Sequence, residues 1–280
     1  MNSSILNKIY NDVCCDELKV FKPGNHSLLS PIPGMSELKF RYAAKISSQY
    51  LTNEKITMGE AIFLSAKKCK IELNSNYNLG IIMLCAPILR VCMKNVSNFK
   101  NDLANLLSTI SKRDGDLIIK AINFVKPGGI RNYKGVGNIF SSNEKLSFKE
   151  IMKIGSERDR ISKCYSENFK EIFDFGLPLL RSLKNKATKK KATQILYLNF
   201  LAYALDSHLH RKVGKSKANI IMFKGLKLKK SMNIFKNNDN SIKEFDFYLK
   251  KFHCNPGTCA DLTVTTLLMD KISDIFKFSL

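Results

Sequence analysis

From Leu79 to Leu89 the chain is apolar on nearly every side, and a charge returns only at Arg90. About 11 residues are too few to cross a bilayer, which takes about 20, so this segment has to run through a protein interior. We expect a core helix over Leu79 to Met93, kinked at Pro87. The rest of the pattern is helical too, with apolar residues three and four apart and few segments that alternate as strands do. Thr57 with Glu60 reads as a capping box opening a helix that runs to about Leu73. Lys100 to Leu107 and Lys112 to Val125 read as shorter helices. Ser147 with Glu150 opens a long one whose apolar face includes Phe148, Ile151, Ile154, Ile161 and Tyr165. Ala192 to Leu205 follows, then a basic loop from Arg211, then helices over Ser241 to Phe252 and Leu262 to Phe276. With no repeat and no low-complexity linker, the expectation is one all-α domain over residues 1–280. Its polar loops would converge between helices at a shared pocket.

Lys and Arg number 46 against 24 Asp and Glu, a formal charge of +22. A basic surface suits nucleic acid, anionic lipid or polyanionic small molecules. The lysines are spread from end to end, however, in a chain rich in Asn and Ile and without Trp. We read most of the charge as solvated surface and a minority as serving a phosphate-rich ligand. There is no nucleic-acid-binding motif and no basic stripe interleaved with aromatics, so nucleic acid is a secondary alternative as partner. The eight cysteines include no C-x-x-C pair, and Cys85 lies in an apolar run where a thiol acts as a small hydrophobe. Residues Asn2 to Asp12 lack the apolar stretch of a signal peptide. Together these point to a reduced, cytoplasmic setting and no membrane span.

The polar segments carry the chemistry, and each has a purely structural alternative. Cys254-Asn255-Pro256-Gly257-Thr258 tips into an apolar helix and could aim backbone N–H groups, a hydroxyl and the Asp261 carboxylate at one spot. Thr258 with Asp261 could equally be a capping box. Lys22-Pro23-Gly24-Asn25 could bind an anion or be an ordinary Pro-Gly type II turn. Asn76-Tyr77-Asn78-Leu79-Gly80 could present two amides to a ligand, or Asn78 could simply cap the core helix. Asp206-Ser207-His208-Leu209-His210-Arg211 holds a carboxylate for magnesium or an oxygen base and an arginine for phosphate; Asp206 and Arg211 could also merely pair. His-x-His has no further ligands at zinc spacing. Glu157-Arg158-Asp159-Arg160 reads as a charged, solvated helix face, with a phosphate-facing Arg as the alternative. No P-loop, dinucleotide-binding, H-E-x-x-H or G-x-S-x-G signature occurs.

In order along the chain, these segments resemble the triphosphoribosyl-dephospho-CoA synthase family. The likeness runs through Lys22-Pro23-Gly24-Asn25, Gly34-Met35, Gly59-Glu60-Ala61-Ile62, Asn76-x-Asn78-Leu79-Gly80-Ile81 and Leu84-x-Ala86-Pro87. It continues with Glu157-Arg158-Asp159-Arg160-Ile161 and Tyr165, then Asp206-Ser207-His208 with Arg211 and Gly214, and closes on Asn255-Pro256-Gly257-Thr258-x-Ala260-Asp261-Leu262-Thr263. The resemblance implies an all-helical fold and a magnesium-dependent transfer of the triphosphoribosyl group of ATP to the ribose 2′-hydroxyl of dephospho-CoA, with loss of adenine. The product would be the precursor of a prosthetic group carried by acyl carrier subunits. An oxocarbenium-like centre calls for carboxylates, a base for the hydroxyl and cations along the triphosphate.

On that footing Asp206 and Asp261 are the expected metal-binding and catalytic carboxylates, with Glu60 third. Lys22, Arg158 and Arg211 would hold phosphates. Gly24, Asn25, Asn76, Asn78, Gly80, His208 and Asn255 would shape the substrate site, and Gly257 with Thr258 would supply helix-terminus donors. The chain departs from the family pattern where Pro33-Gly34-Met35 lacks a His and an acidic residue, and where Leu79 replaces a cation. This divergent version raises an alternative: the same transfer onto another phosphorylated acceptor in one-carbon, pterin-type cofactor synthesis.

Overall fold

The computed structural model describes residues 2–94, 96, 98–140, 146–231 and 240–277. Among them are fourteen α-helices and no strand. The chain opens with α1 (Ser3–Leu18), α2 (Glu37–Leu51), α3 (Met58–Leu73) and α4 (Leu79–Cys92). It continues through α5 (Phe99–Ser108), α6 (Lys112–Val125), α7 (Phe148–Gly155) and α8 (Arg160–Ser166). A π-helical turn at Glu171–Gly176 leads into α9 (Leu177–Leu183) and α10 (Lys189–Tyr203). The last four are α11 (Ser207–Val213), α12 (Lys215–Ser231), α13 (Asn240–Lys251) and α14 (Gly257–Phe276).

Two helices are buried all round. Ile82 to Leu89 of α4 and Leu262 to Asp270 of α14 have no exposed position, which is why neither shows an amphipathic stripe. They pack together at the centre, with α1 and α10 also against α14 and α2 and α3 against α4. Gly80 meets Asp261, and a turn further on Cys85 Sγ lies 3.8 Å from Thr265 Oγ1. The two central helices therefore run parallel, with their N-terminal ends side by side. No helix among the described residues is long and apolar enough to cross a membrane.

Pro87 has no N–H to give the Met83 carbonyl one turn earlier. Tyr165 of α8 supplies the missing donor, its hydroxyl reaching Met83 O at 2.7 Å. A helix-breaking residue thus ties α8 to the core.

Three sequence expectations are corrected. The helix opened by the Ser147–Glu150 capping box ends at Gly155 rather than continuing to Tyr165. Asp159 starts a new helix there, its Oδ1 accepting the N–H groups of Ile161 and Ser162. The basic segment from Arg211 is not a loop but α11 and α12, hinged at Gly214 with φ +86°. Its buried positions Ala218, Ile221, Gly225 and Leu228 keep helical spacing beneath the lysines. Of the two helices not assigned from the sequence, α2 packs on α3 and α4, and α1 on α2 and α14.

Candidate active site

The parallel arrangement of α4 and α14 decides where a polar ligand can sit. Each helix start presents unpaired N–H groups and the positive end of its dipole, so two neighbouring starts make an anion-attracting corner. A cavity of about 480 Å³ opens at that corner, walled by Leu79 and Gly80 of α4, Thr258 and Asp261 of α14, and the α8 and α11 starts. Its cations are Arg158, Arg211 and Lys212, and Ile122, Ile139, Ile151 and Met152 give it an apolar side. The loop over 127–139 contributes Pro127, Gly129, Ile130, Asn132 and Tyr133 to the wall. The Arg158 guanidinium lies 3.3 Å from the Tyr133 ring centroid, a cation–π stack that fixes a flexible side chain.

A smaller chamber of about 110 Å³ adjoins the first and shares Asn76, Leu79, Gly80, His208 and Asp261 with it. Asp261 stands at the junction. Burial, and next the charge of Asp206, push its carboxyl well above the usual carboxylate range. Gly80 is what lets it stand there: a Cβ on Gly80 would lie 2.5 Å from Asp261 Cγ and nearer still to Oδ2. Gly257 does the same for His208, whose Nδ1 would be 2.8 Å from an added Cβ. Burial lowers the His208 imidazole below its ordinary value, against the opposing pull of Asp206, so the ring is neutral at neutral pH.

Asp206 does not reach either chamber. It is 1% exposed, Oδ1 accepting the Leu209 N–H at 2.9 Å and Oδ2 the Cys259 N–H at 2.8 Å. One carboxylate caps two helix starts, α11 and α14. This replaces the expected capping box, since Thr258 is already inside α14 and accepts the His208 N–H at 3.2 Å. Each Asp206 oxygen thus holds a backbone N–H away from the cavity, whereas Asp261, its expected partner for a metal, lines both chambers. Among the described residues no three His, Cys, Asp or Glu side chains cluster so as to hold a metal ion.

Lys22 is likewise corrected. It is fully buried, its ammonium pairing with Glu17 at 2.9 Å and donating to the carbonyls of Glu17 and His26. Held between the Glu17 carboxylate and two carbonyls, the ammonium lines neither chamber. The Lys22–Asn25 turn is type II, closed by Asn25 N–H to Lys22 O at 3.0 Å with Gly24 at φ +74°, and Gly24 N–H donates to Asp246 at 2.8 Å. Glu60 lines neither chamber. It completes the Thr57 capping box and accepts from Arg113 at 2.7 Å at the start of α3.

Of the remaining expected residues, Arg158, Arg211 and Thr258 line the larger chamber. Asn25, Asn78, Asn255 and Gly257 line the smaller one, and Asn76, Gly80, His208 and Asp261 line both. Asn78 holds the N-cap position of α4, as expected, but its side chain donates to Ser47 Oγ at 3.1 Å, and it is Asn76 Oδ1 that accepts the Leu79 N–H at 3.2 Å.

Asp159, expected on a solvated helix face, lines the larger chamber and holds Arg211 through Oδ2. Among the described residues, Arg211 Nε is buried without a hydrogen-bond partner, a donor left over beside the cavity. Arg160, next in sequence, points elsewhere: it is buried, pairs with Glu171 and donates to Phe200 O at 3.1 Å. Glu17, Phe40 and Tyr77 of the smaller chamber gave no sequence signal, because their neighbours come from helices far apart in the chain.

The site defines a class of all-α protein with a cation-lined cavity that also holds Asp261 and the Arg211-bound Asp159. Residues 4–279 match the CitG family, ATP:dephospho-CoA triphosphoribosyl transferase, and the chain belongs to that family. It is a transferase by that membership. A crystal structure from Archaeoglobus fulgidus, of a protein assigned as triphosphoribosyl-dephospho-CoA synthase, is similar in fold. The TM-score is 0.65 at 21% identity, covering 82% of this chain and 97% of that one. No significant match occurs among curated protein sequences.

Proposed function

We propose that the chain joins the triphosphoribosyl group of ATP to the ribose 2′-hydroxyl of dephospho-CoA with release of adenine. One observation carries the reading: the starts of α4 and α14 and the cations Arg158, Arg211 and Lys212 surround a cavity with Asp261 at its inner junction. Cations and helix N-termini suit a triphosphate, and a lone enclosed carboxylate suits the centre where positive charge develops. The bond from ribose C1 to adenine N9 breaks, its electron pair leaves with adenine, and the acceptor oxygen bonds to C1. The hydroxyl proton passes to the Asp261 carboxylate and from it to solvent, and the departing adenine takes its proton from water, so the exchange balances. A carboxylate whose proton affinity is raised by burial is a stronger base for that hydroxyl than an ordinary one.

Arg211 offers its spare Nε to a phosphate oxygen, with Asp159 fixing the guanidinium plane. Arg158 is held by Tyr133, and Lys212 adds charge. His208 and Asn76, at the junction, contact the ribose, and Thr258 and Gly257 present the α14 start. Asp206 acts as a positioning residue that sets α11 against α14. Magnesium enters with the triphosphate as part of the nucleotide substrate, since hard cations of this size are held mainly by phosphate and water with one or two carboxylates. The product would feed prosthetic-group synthesis for an acyl carrier protein.

Leu79 favours a second reading. It lines both chambers at a position where the family resemblance carries a cation, so the acceptor is another phosphorylated compound, in one-carbon, pterin-type cofactor synthesis. The full chain, incubated with ATP, magnesium and dephospho-CoA, should release adenine and yield the triphosphoribosylated acceptor by mass. Adenine release that requires a different acceptor selects the second reading. No adenine with any phosphorylated acceptor sinks both.

A further inference from the structure

Between α8 and α9 the backbone is strained. Asn168 and Phe169, consecutive and neither a glycine, both take left-handed conformations, at φ +52° and +60°. The π-helical turn Glu171–Gly176 follows at once. Such strain persists only where the surroundings hold it, and it gathers where geometry serves a function. Its effect here is to bring Glu171 back onto Arg160. Were α8 to run on as a helix, Glu171 would stand about 16 Å along its axis from Arg160. Instead Glu171 Oε2 accepts from Arg160 Nε at 3.2 Å, and Oε1 pairs with Nη2. Both side chains are less than a tenth exposed.

The rest of Arg160 reaches the walls of the larger cavity. Nη1 donates to Phe200 O at 3.1 Å and Ala204 O at 3.4 Å where α10 ends, and to Cys259 Sγ at 3.3 Å in the first turn of α14. The Arg160 backbone N–H donates to Ser207 Oγ at 2.7 Å, at the first residue of α11. One residue therefore joins the starts of α8, α11 and α14. Its neighbour Asp159 is the group that holds Arg211. A buried ion pair adds little net stability, because desolvating both charges offsets their attraction. What a planar fork bonded through all three nitrogens supplies is fixed geometry.

We infer that Arg160 is a positioning residue for the larger cavity: locked by Glu171, it sets the α8 start against α11 and α14 and so, through Asp159, aims the Arg211 guanidinium. Arg160 itself does not line the cavity and touches no substrate. The strained connection after α8 is then explained, since it delivers the carboxylate that locks the fork. The inference rests on the proposed function only in taking the larger cavity as the seat of a triphosphate.

The test uses the full chain with inorganic triphosphate as the probe. Calorimetry gives its affinity, adenine release gives KM for ATP and kcat, and thermal melts give stability. Removing one partner strands the other's buried charge, whereas replacing both with apolar side chains of similar size does not. Arg160→Met combined with Glu171→Leu should therefore stay folded yet bind triphosphate about tenfold or more weakly, the worth of one misaimed charge-assisted hydrogen bond. KM for ATP should rise by a similar factor, and kcat should fall less. Arg160→Lys keeps the charge beside Glu171 but not the fork, and should shift the same way to a lesser degree. It carries the result alone should the double variant not fold. Leu103→Ala is the comparison, at a fully buried position of α5 that lines neither chamber. It should melt lower and keep wild-type triphosphate affinity. Folded Arg160 variants with wild-type affinity and KM overturn the positioning role while the transferase reading stands, as does an equal affinity loss in Leu103→Ala. Affinity that falls only in the Arg160 variants, with no adenine released by wild type under any acceptor, leaves the positioning role standing and overturns the transfer. A wild type that binds no triphosphate overturns both.

Discussion

Gly80 and Asp261 sit on parallel helices so close together that the site exists only because Gly80 has no side chain. A methyl there would have to displace the carboxylate, standing 2.5 Å from its Cγ. Gly80→Ala should therefore lower adenine release on the order of a hundredfold, the cost of a misplacement of about 1 Å at a reacting centre. Stability should hardly move, because alanine gains about 0.5–1 kcal/mol over glycine within a helix and offsets part of the crowding. A variant with wild-type turnover would show that Asp261 is not at the reacting centre.

Asp261 also makes a prediction about pH. Burial and then Asp206 raise its folded-state pKa, so folding favours the protonated form. Its contribution to stability is complete below the unfolded-state value of about 3.9 and is lost as pH rises through the folded value. Asp261→Asn removes that loss. The variant should melt higher than wild type at pH 8, by about 2–4 °C for each kcal/mol recovered, with the gap closing toward pH 4. Turnover should fall by about a hundredfold or more, the usual share of a general base. Parallel melting curves across that pH range would contradict a raised pKa.

Asp206 should behave in the opposite way. Its two oxygens cap α11 and α14, and a lost cap costs about 0.5–2 kcal/mol each. Asp206→Ala should then lose about 1–4 kcal/mol in denaturant unfolding, and activity should fall with the folded fraction and the cavity geometry. Asp206→Asn keeps one acceptor oxygen and should lose roughly half as much. Loss of turnover without loss of stability would return Asp206 to the chemistry.

Much of the fold was written in local sequence, because capping boxes and apolar periodicity act over a single turn. The Thr57–Glu60 box and the bounds of α6 needed no tertiary information. The second role of Asp159 did: its Oδ1 caps α8 locally, but its Oδ2 holds Arg211 of α11, 52 residues on. The partner of Pro87's lost hydrogen bond, Tyr165, lies 82 residues away from Met83. At the site, the motifs flagged the right segments and misassigned their members. Lys22 and Asp206 look like ligand groups in a linear reading, yet once folded each is buried among protein partners and lines neither chamber. A sequence shows which groups can form hydrogen bonds, not which are already spent.

Arg211, on the wall of the larger cavity, has a buried donor to spare. Asp159 takes Nη1, and Nε is buried without a partner on the wall of the larger cavity. Lysine keeps the charge but cannot keep both the Asp159 bond and a directed second donor. Arg211→Lys should raise the KM for ATP by about ten- to a hundredfold, the worth of one or two charge-assisted hydrogen bonds, with a smaller change in kcat. Inorganic triphosphate should compete with ATP in the wild type and lose affinity by a similar factor in the variant. Both effects should weaken as salt rises, because part of the attraction is screened over about 8–10 Å at physiological ionic strength. An Arg211→Lys enzyme with unchanged KM for ATP and unchanged triphosphate inhibition would move the phosphate site away from α11.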